Sequence, residues 1–197
     1  MAEKKETYRP KRLTFSKPLP GGARERLREA ILYVSEKCEN APRFGMIILN
    51  KIVWRADFTS FEHRKVPITG AAYHKLPLGP APIDMRPVLE EMRDKGEIEI
   101  RSIDVDGKSE KRPIAVYPAH ANYFTPDELK YLDEAINYYW GKTGSKASDD
   151  SHGAAWKTRA MKDRIPYEAV FFNDAPLSKN ARKRFAQLAH EKQWVSR

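Results

Sequence analysis

Between residues 43 and 61 the chain carries apolar side chains on more than one side of the helix that their spacing predicts: Ile47, Ile48, Ile52, Val53 and Trp54. A helix of that kind has no wholly solvent-facing stripe, so other elements must surround it. A helix predicted over residues 23–39 supplies one wall, with Leu27, Ala30, Ile31 and Val34 on one stripe and Asn40 and Pro42 marking its end. A third predicted helix, residues 83–94, stops at Gly96. A fourth opens at Phe124-Thr125-Pro126-Asp127-Glu128. There Thr125 is the N-cap, Pro126 takes the first helical position and Glu128 completes a capping box. Leu129, Leu132, Ile136 and Tyr139 form its buried stripe, and Gly141 ends it.

Strand signals are fewer. Ile98, Ile100 and Ile103, then Ile114, Val116 and Tyr117, flank Asp106-Gly107-Lys108. This predicts a β-hairpin over residues 97–118, twisted or bulged near Ser102. Ile68-Thr69-Gly70-Ala71-Ala72-Tyr73 reads as a short extended piece or a tight loop. Leu76-Pro77-Leu78-Gly79-Pro80-Ala81-Pro82 reads as a rigid loop, because its prolines fix their own φ and bias the preceding residues away from helix. Residues 142–150 are a candidate short helix leading to Ser151-His152-Gly153, and Ser178 is a candidate cap for a last basic helix with Phe185, Leu188 and Ala189 on one face. The elements together predict an α+β fold, mainly α-helical: a single compact helical domain with a small β-hairpin. Residues 1–22 read as a flexible basic arm, 23–174 as the domain and 175–197 as a basic C-terminal helix or extension.

The longest apolar run is Met46-Ile47-Ile48-Leu49, far short of the roughly 18 residues of a membrane span. The charged amino terminus lacks the apolar segment of a signal peptide, and the single cysteine, Cys38, has no partner for an internal disulfide. Both point to a cytoplasmic setting. The formal charge of +9 is concentrated at the ends, in Lys4, Lys5, Arg9, Lys11 and Arg12 and again in Lys179, Arg182, Lys183, Arg184, Lys192 and Arg197. Such clusters attract nucleic acid or an acidic protein surface, or simply keep a face solvated. No nucleic-acid motif accompanies them, so nucleic acid is a secondary expectation.

Catalytic and cofactor signatures are missing from the sequence. The histidines form no HxxxH or HExxH pair, Cys38 has no CxxC partner, and no GxxxxGK[ST] or GxGxxG loop occurs, so neither metal nor cofactor is expected. Asp104, Asp106 and Gly107 resemble a fragment of a calcium loop but are explained by a hairpin turn. His152 is a contact or proton-transfer group in a cleft or, more simply, a helix-end histidine packed on Trp156. Asn50, Trp54 and Asp57 share one helical face, which either contacts a partner or anchors the Thr69-Gly70 loop. Tyr73, His74, Leu76 and Leu78 sit on the proline-rich segment, where a preshaped backbone would offer them to a partner at low entropic cost. The expected contact residues are therefore Trp54, Asp57, Tyr73, His74, Leu76 and Leu78, with no catalytic residue.

Five separated signatures occur in one order. They are Asn50-Lys51-Ile52-Val53-Trp54 with Ala56-Asp57-Phe58; Pro67 through Tyr73; Leu76 through Pro82; Phe124-Thr125 with Glu128-Leu129; and Ser151-His152, Trp156 and Ile165-Pro166-Tyr167. In this order they resemble the Panacea, or SocA-like, antitoxin domain, which also occurs in phage-associated proteins. The resemblance spans roughly residues 24–172. It implies a helical, non-enzymatic domain that neutralises a cognate protein toxin by direct binding, the toxin being encoded by the adjacent gene. A proteolytic adaptor that delivers the toxin to a protease, or a nucleic-acid-binding regulator, is the alternative. It also implies structural roles for Asn50, Lys51, Thr69, Gly70, Pro77, Gly79, Pro80, Ser151, His152, Trp156, Pro166 and Tyr167.

Overall fold

Two helices, α1 (Gly22–Lys37) and α2 (Met46–Arg64), frame the molecule in the computed structural model, which describes residues 15, 17–172, 178–180, 183, 184, 187 and 191. The remaining elements are β1 (Tyr73–Leu76), β2 (Gly79–Pro82), α3 (Met85–Asp94), β3 (Ile98–Val105), β4 (Lys108–Ala115), α4 (Pro126–Tyr139), α5 (Gly144–Asp150), α6 (Ala154–Lys157) and β5 (Arg164–Ile165). The fold is α+β and mainly helical.

Helix α2 is enclosed, as its sequence requires. It packs against α1, α4, α5, β2, β4 and the 3-10 turn Tyr167–Phe171. Ile48, Leu49, Ile52, Val53, Ala56, Phe58 and Phe61 are all buried along it. Each large apolar side chain so buried contributes roughly 1.5–3 kcal/mol. That sum offsets the cost of two ionisable side chains buried on the same helix, Lys51 and Asp57.

The capping box at the start of α4 forms: the Thr125 side chain accepts from the Glu128 amide and Glu128 accepts from the Thr125 amide. Glu128 has a second task. Its other oxygen lies 2.9 Å from a guanidinium nitrogen of Arg26 on α1, with both side chains buried. Arg26 also donates to the Ile68 carbonyl at 2.6 Å and to the Tyr123 carbonyl. One cation thus joins α1, the start of α4 and the irregular segment that leads into β1.

Strands β3 and β4 pair in unbroken antiparallel register from Ile98↔Ala115 to Val105↔Lys108, so of the twist or bulge expected near Ser102 the bulge is absent. Asp106 and Gly107 take φ of 53° and 78°, the two positive values of a two-residue hairpin turn, and that turn sets the register without an extra residue. Arg112 on β4 fastens the hairpin to the α1–α2 link, donating to the carbonyls of Glu39, Ala41 and Phe44.

The segment 76–82 is not a loop. It is the turn and second strand of a hairpin, in a three-stranded antiparallel sheet ordered β2-β1-β5. Prolines are tolerated in β2 because of register. Ile83 donates to Ala72, which makes Ala72/Ile83 and His74/Ala81 the hydrogen-bonded pairs. Pro80 and Pro82 fall on the alternate pairs, where an N–H would point away from β1, so no ladder bond is lost.

Phe15, within the expected flexible arm, stands edge-on to Phe61 and Tyr167. At the other end residues 179, 180, 183, 184, 187 and 191 are helical; Phe185, Leu188 and Ala189 lie outside the described residues. Among the described residues no helix is long and apolar enough to cross a membrane.

Candidate functional site

The site is built on two side chains of α2 that face different ways. Asp57 is fully buried and accepts from the amides of Ile68 (2.8 Å) and Thr69 (2.6 Å) through one oxygen. Its other oxygen accepts from the Thr69 hydroxyl and the Tyr73 hydroxyl (2.7 Å). The Tyr167 hydroxyl lies 3.2 Å from that oxygen but 2.7 Å from the Ala71 carbonyl. With one proton to give, it donates to the nearer acceptor. Burial pushes the Asp57 carboxyl above its ordinary value against the downward pull of these donors, and burial beside the carboxylate holds both tyrosines well above theirs. Asp57 is thereby the pin that joins α2, the 68–69 segment and β1, with the chain after β5 packed beside it.

Lys51 lies six residues earlier and points to the tip of the first hairpin. Its amine donates to the Pro80 carbonyl at 3.1 Å, and its side chain is almost fully buried. That carbonyl belongs to an outward position of β2, so Lys51 satisfies a group the sheet leaves over. Burial pushes the amine down to about 7. Gly79 takes φ of 101°, and a Cβ there would lie 2.2 Å from Ser151 Oγ and 2.5 Å from Lys51 Nζ. Only glycine lets the strand pass so close to both.

The closing half of the chain clasps the same hairpin. Ser151 donates to the Ser148 carbonyl at the end of α5. The His152 and Trp156 rings stack at 3.8 Å with 16° between their planes. The Trp156 indole donates to the Leu76 carbonyl at 2.9 Å, and Lys75 lies over the indole at 4.0 Å while donating to the Arg159 carbonyl. Burial, with Lys51 nearby, pushes His152 below its ordinary value, which favours the neutral ring.

The residues singled out by sequence thus converge on one hairpin and its supports, but they divide by exposure. Asp57 and Tyr73, expected to touch a partner, are 0% and 1% exposed. Their polar atoms are used up inside, so they are supports and not contacts. Thr69 is buried with them, and Asn50 turns its amide back to the Met46 carbonyl instead of bonding the Thr69-Gly70 loop. Trp54 is half-buried and tilted against Phe58, and Pro166 leads into the turn that carries Tyr167. Pro77 and Leu78 form the exposed tip, with Leu78 53% exposed. His74 and Leu76 line one groove, of about 1040 Å³, beside α3 and β3. Leu78 and His152 line another, of about 560 Å³, beside α5.

Sequence reasoning missed Lys75, which is buried, and Arg26. For Lys75 a signal existed: in a strand it shares a face with Tyr73 and must point inward with it. For Arg26 none did, because its partners are 42 and more residues away.

A family model described as Antitoxin SocA-like, Panacea domain matches residues 49–157, more than half of the chain. The matched span contains Lys51, Asp57, the hairpin, Ser151, His152 and Trp156, and stops short of Tyr167. No curated protein and no solved structure matches the chain.

Proposed function

The chain belongs to the family of SocA-like antitoxins that carry the Panacea domain, and from that membership we propose that it is an antitoxin that neutralises a cognate protein toxin by stoichiometric contact in the cytoplasm, without making or breaking a bond. The observation that carries the reading is the family match, which falls on the residues that build and brace the β1–β2 hairpin. The hairpin supports it physically. Its backbone is held by Lys51 and Trp156, and Asp57 holds the Tyr73 side chain and the 68–69 segment before it, so a partner meets a surface ordered in advance and little conformational entropy is lost on binding. The toxin is taken to be the product of the adjacent gene, and the chain's charge of +9 favours an acidic surface on it.

The polar groups near the hairpin fit a non-catalytic role. Ser151 spends its proton on the Ser148 carbonyl and so does not hand it to the neighbouring His152 ring. The test is co-expression with the adjacent gene's product. Growth should be rescued, the two proteins should co-purify, and His152→Ala should rescue as well as the parent chain. A toxic neighbour that is neither bound nor neutralised removes the proposal. A fall in toxin level on rescue would identify the adaptor variant, whereas a constant level fits masking.

A further inference from the structure

The described residues form two small sheets, and their outer edges are treated differently. The outward positions of β2 are Pro80 and Pro82, which have no N–H to offer. On β4 the outward positions include Pro113, and Arg112 ties that side to the α1–α2 link. The edge of β3 has neither device. Val116 donates to Glu97, so the hydrogen-bonded pairs of the second hairpin are the odd-numbered residues of β3. The N–H and C=O groups of Ile100 and Ser102 therefore point away from β4. Among the described residues nothing bonds them. β3 runs for eight residues, and none of its outward positions is a proline.

Ile100 and Ser102 also line the 1040 Å³ groove that receives His74 and Leu76 from the first hairpin. Its charges are unbalanced. Arg86, Arg93 and Lys111 stand against Glu90 alone. Arg86 is paired to Glu90 and Arg93 to Asp94, while Lys111, directly across from Ser102, has no ion-pair partner among the described residues.

We propose that β3 is the docking edge of this antitoxin: an extended, carboxylate-bearing segment of the partner protein adds to it as a further antiparallel or parallel strand, filling the groove with an apolar side chain and placing an acid beside Lys111. The proposal rests on the antitoxin reading for the identity of the partner. Main-chain bonds to Ile100 and Ser102 supply affinity, and the groove supplies selectivity. A second copy of the chain is the poorer occupant, since it would bring two molecules of charge +9 together over a groove already rich in cations.

The experiment uses the full chain as target for a displayed library of random short peptides, alongside co-purification with the adjacent gene's product. Ser102→Pro deletes an outward N–H and no ladder bond, as Pro113 already does on β4. Ser102→Ala keeps the N–H. The expected result is enrichment of acidic, strand-forming peptides, whose affinity falls about tenfold or more in Ser102→Pro and in Lys111→Glu and is kept in Ser102→Ala. Amide exchange on the parent chain should slow at Ile100 and Ser102 when a selected peptide binds, which holds even if the proline variant folds poorly. Equal binding to parent and Ser102→Pro, no enrichment, or a dimer of the chain that Ser102→Pro dissolves would each overturn the proposal. If the neighbour's product binds parent and Ser102→Pro alike, the antitoxin reading stands and this edge is not its site. If peptides dock at β3 but the neighbour is not bound, the edge stands and the antitoxin reading falls.

Discussion

The amine of Lys51 reaches the carbonyl of Pro80 across 29 residues of sequence, at 3.1 Å, and makes a buried base the cap of a strand edge. The consequence is a pH dependence of stability. Burial lowers the amine from its ordinary 10.5 to about 7. Between those values the unfolded chain holds a proton that the folded protein has released, so stability from this group rises with pH across the window. Below pH 7 the full cost of burying a charged amine applies. Denaturant titrations of the parent chain and Lys51→Met between pH 7 and 10 should show a steeper rise for the parent. Parallel curves would mean that the amine stays charged in the folded protein.

Asp57 is the second pin, and its chemistry can be separated from its size. Asn at this position keeps the shape but offers one acceptor oxygen where Asp57 uses two, and turns an NH2 toward groups that are themselves donors. Asp57→Asn should cost about 2–4 kcal/mol in chemical denaturation. The loss should be accompanied by faster amide exchange at Ile68 and Thr69, whose N–H groups then meet a neutral amide oxygen in place of a carboxylate. A stability within about 0.5 kcal/mol of the parent would show that the network is slack.

Gly79→Ala tests the close approach of β2 to Lys51 and Ser151. The added methyl meets two buried polar tips and a φ of 101°, and the expected cost is about 3 kcal/mol. Removing Ser151 Oγ removes the nearer of the two obstacles. In a double-mutant cycle Gly79→Ala should therefore cost about 1 kcal/mol less in the Ser151→Ala background. Strict additivity would place the whole penalty in the backbone.

Features that depend on near neighbours along the chain follow from the residues alone. The second helix, the Thr125–Glu128 capping box and the Asp106-Gly107 turn are local, and each formed from the residues that predicted it, the helix over Met46–Arg64 instead of 43–61. The convergence of Asp57, Thr69, Tyr73 and Tyr167 was not local, and neither was the choice between contact and support for Asp57 and Tyr73. The proline segment shows why. Prolines read alone oppose a strand, and only the pairing register, which places Pro80 and Pro82 where no N–H is needed, makes one possible. In the other sheet the β3–β4 register turns the N–H and C=O groups of Ile100 and Ser102 away from β4. A register is a relation between two stretches of chain set by the turn and by what packs on each face, so it, the buried state of Lys51 and the exposure of each side chain belong to the tertiary structure.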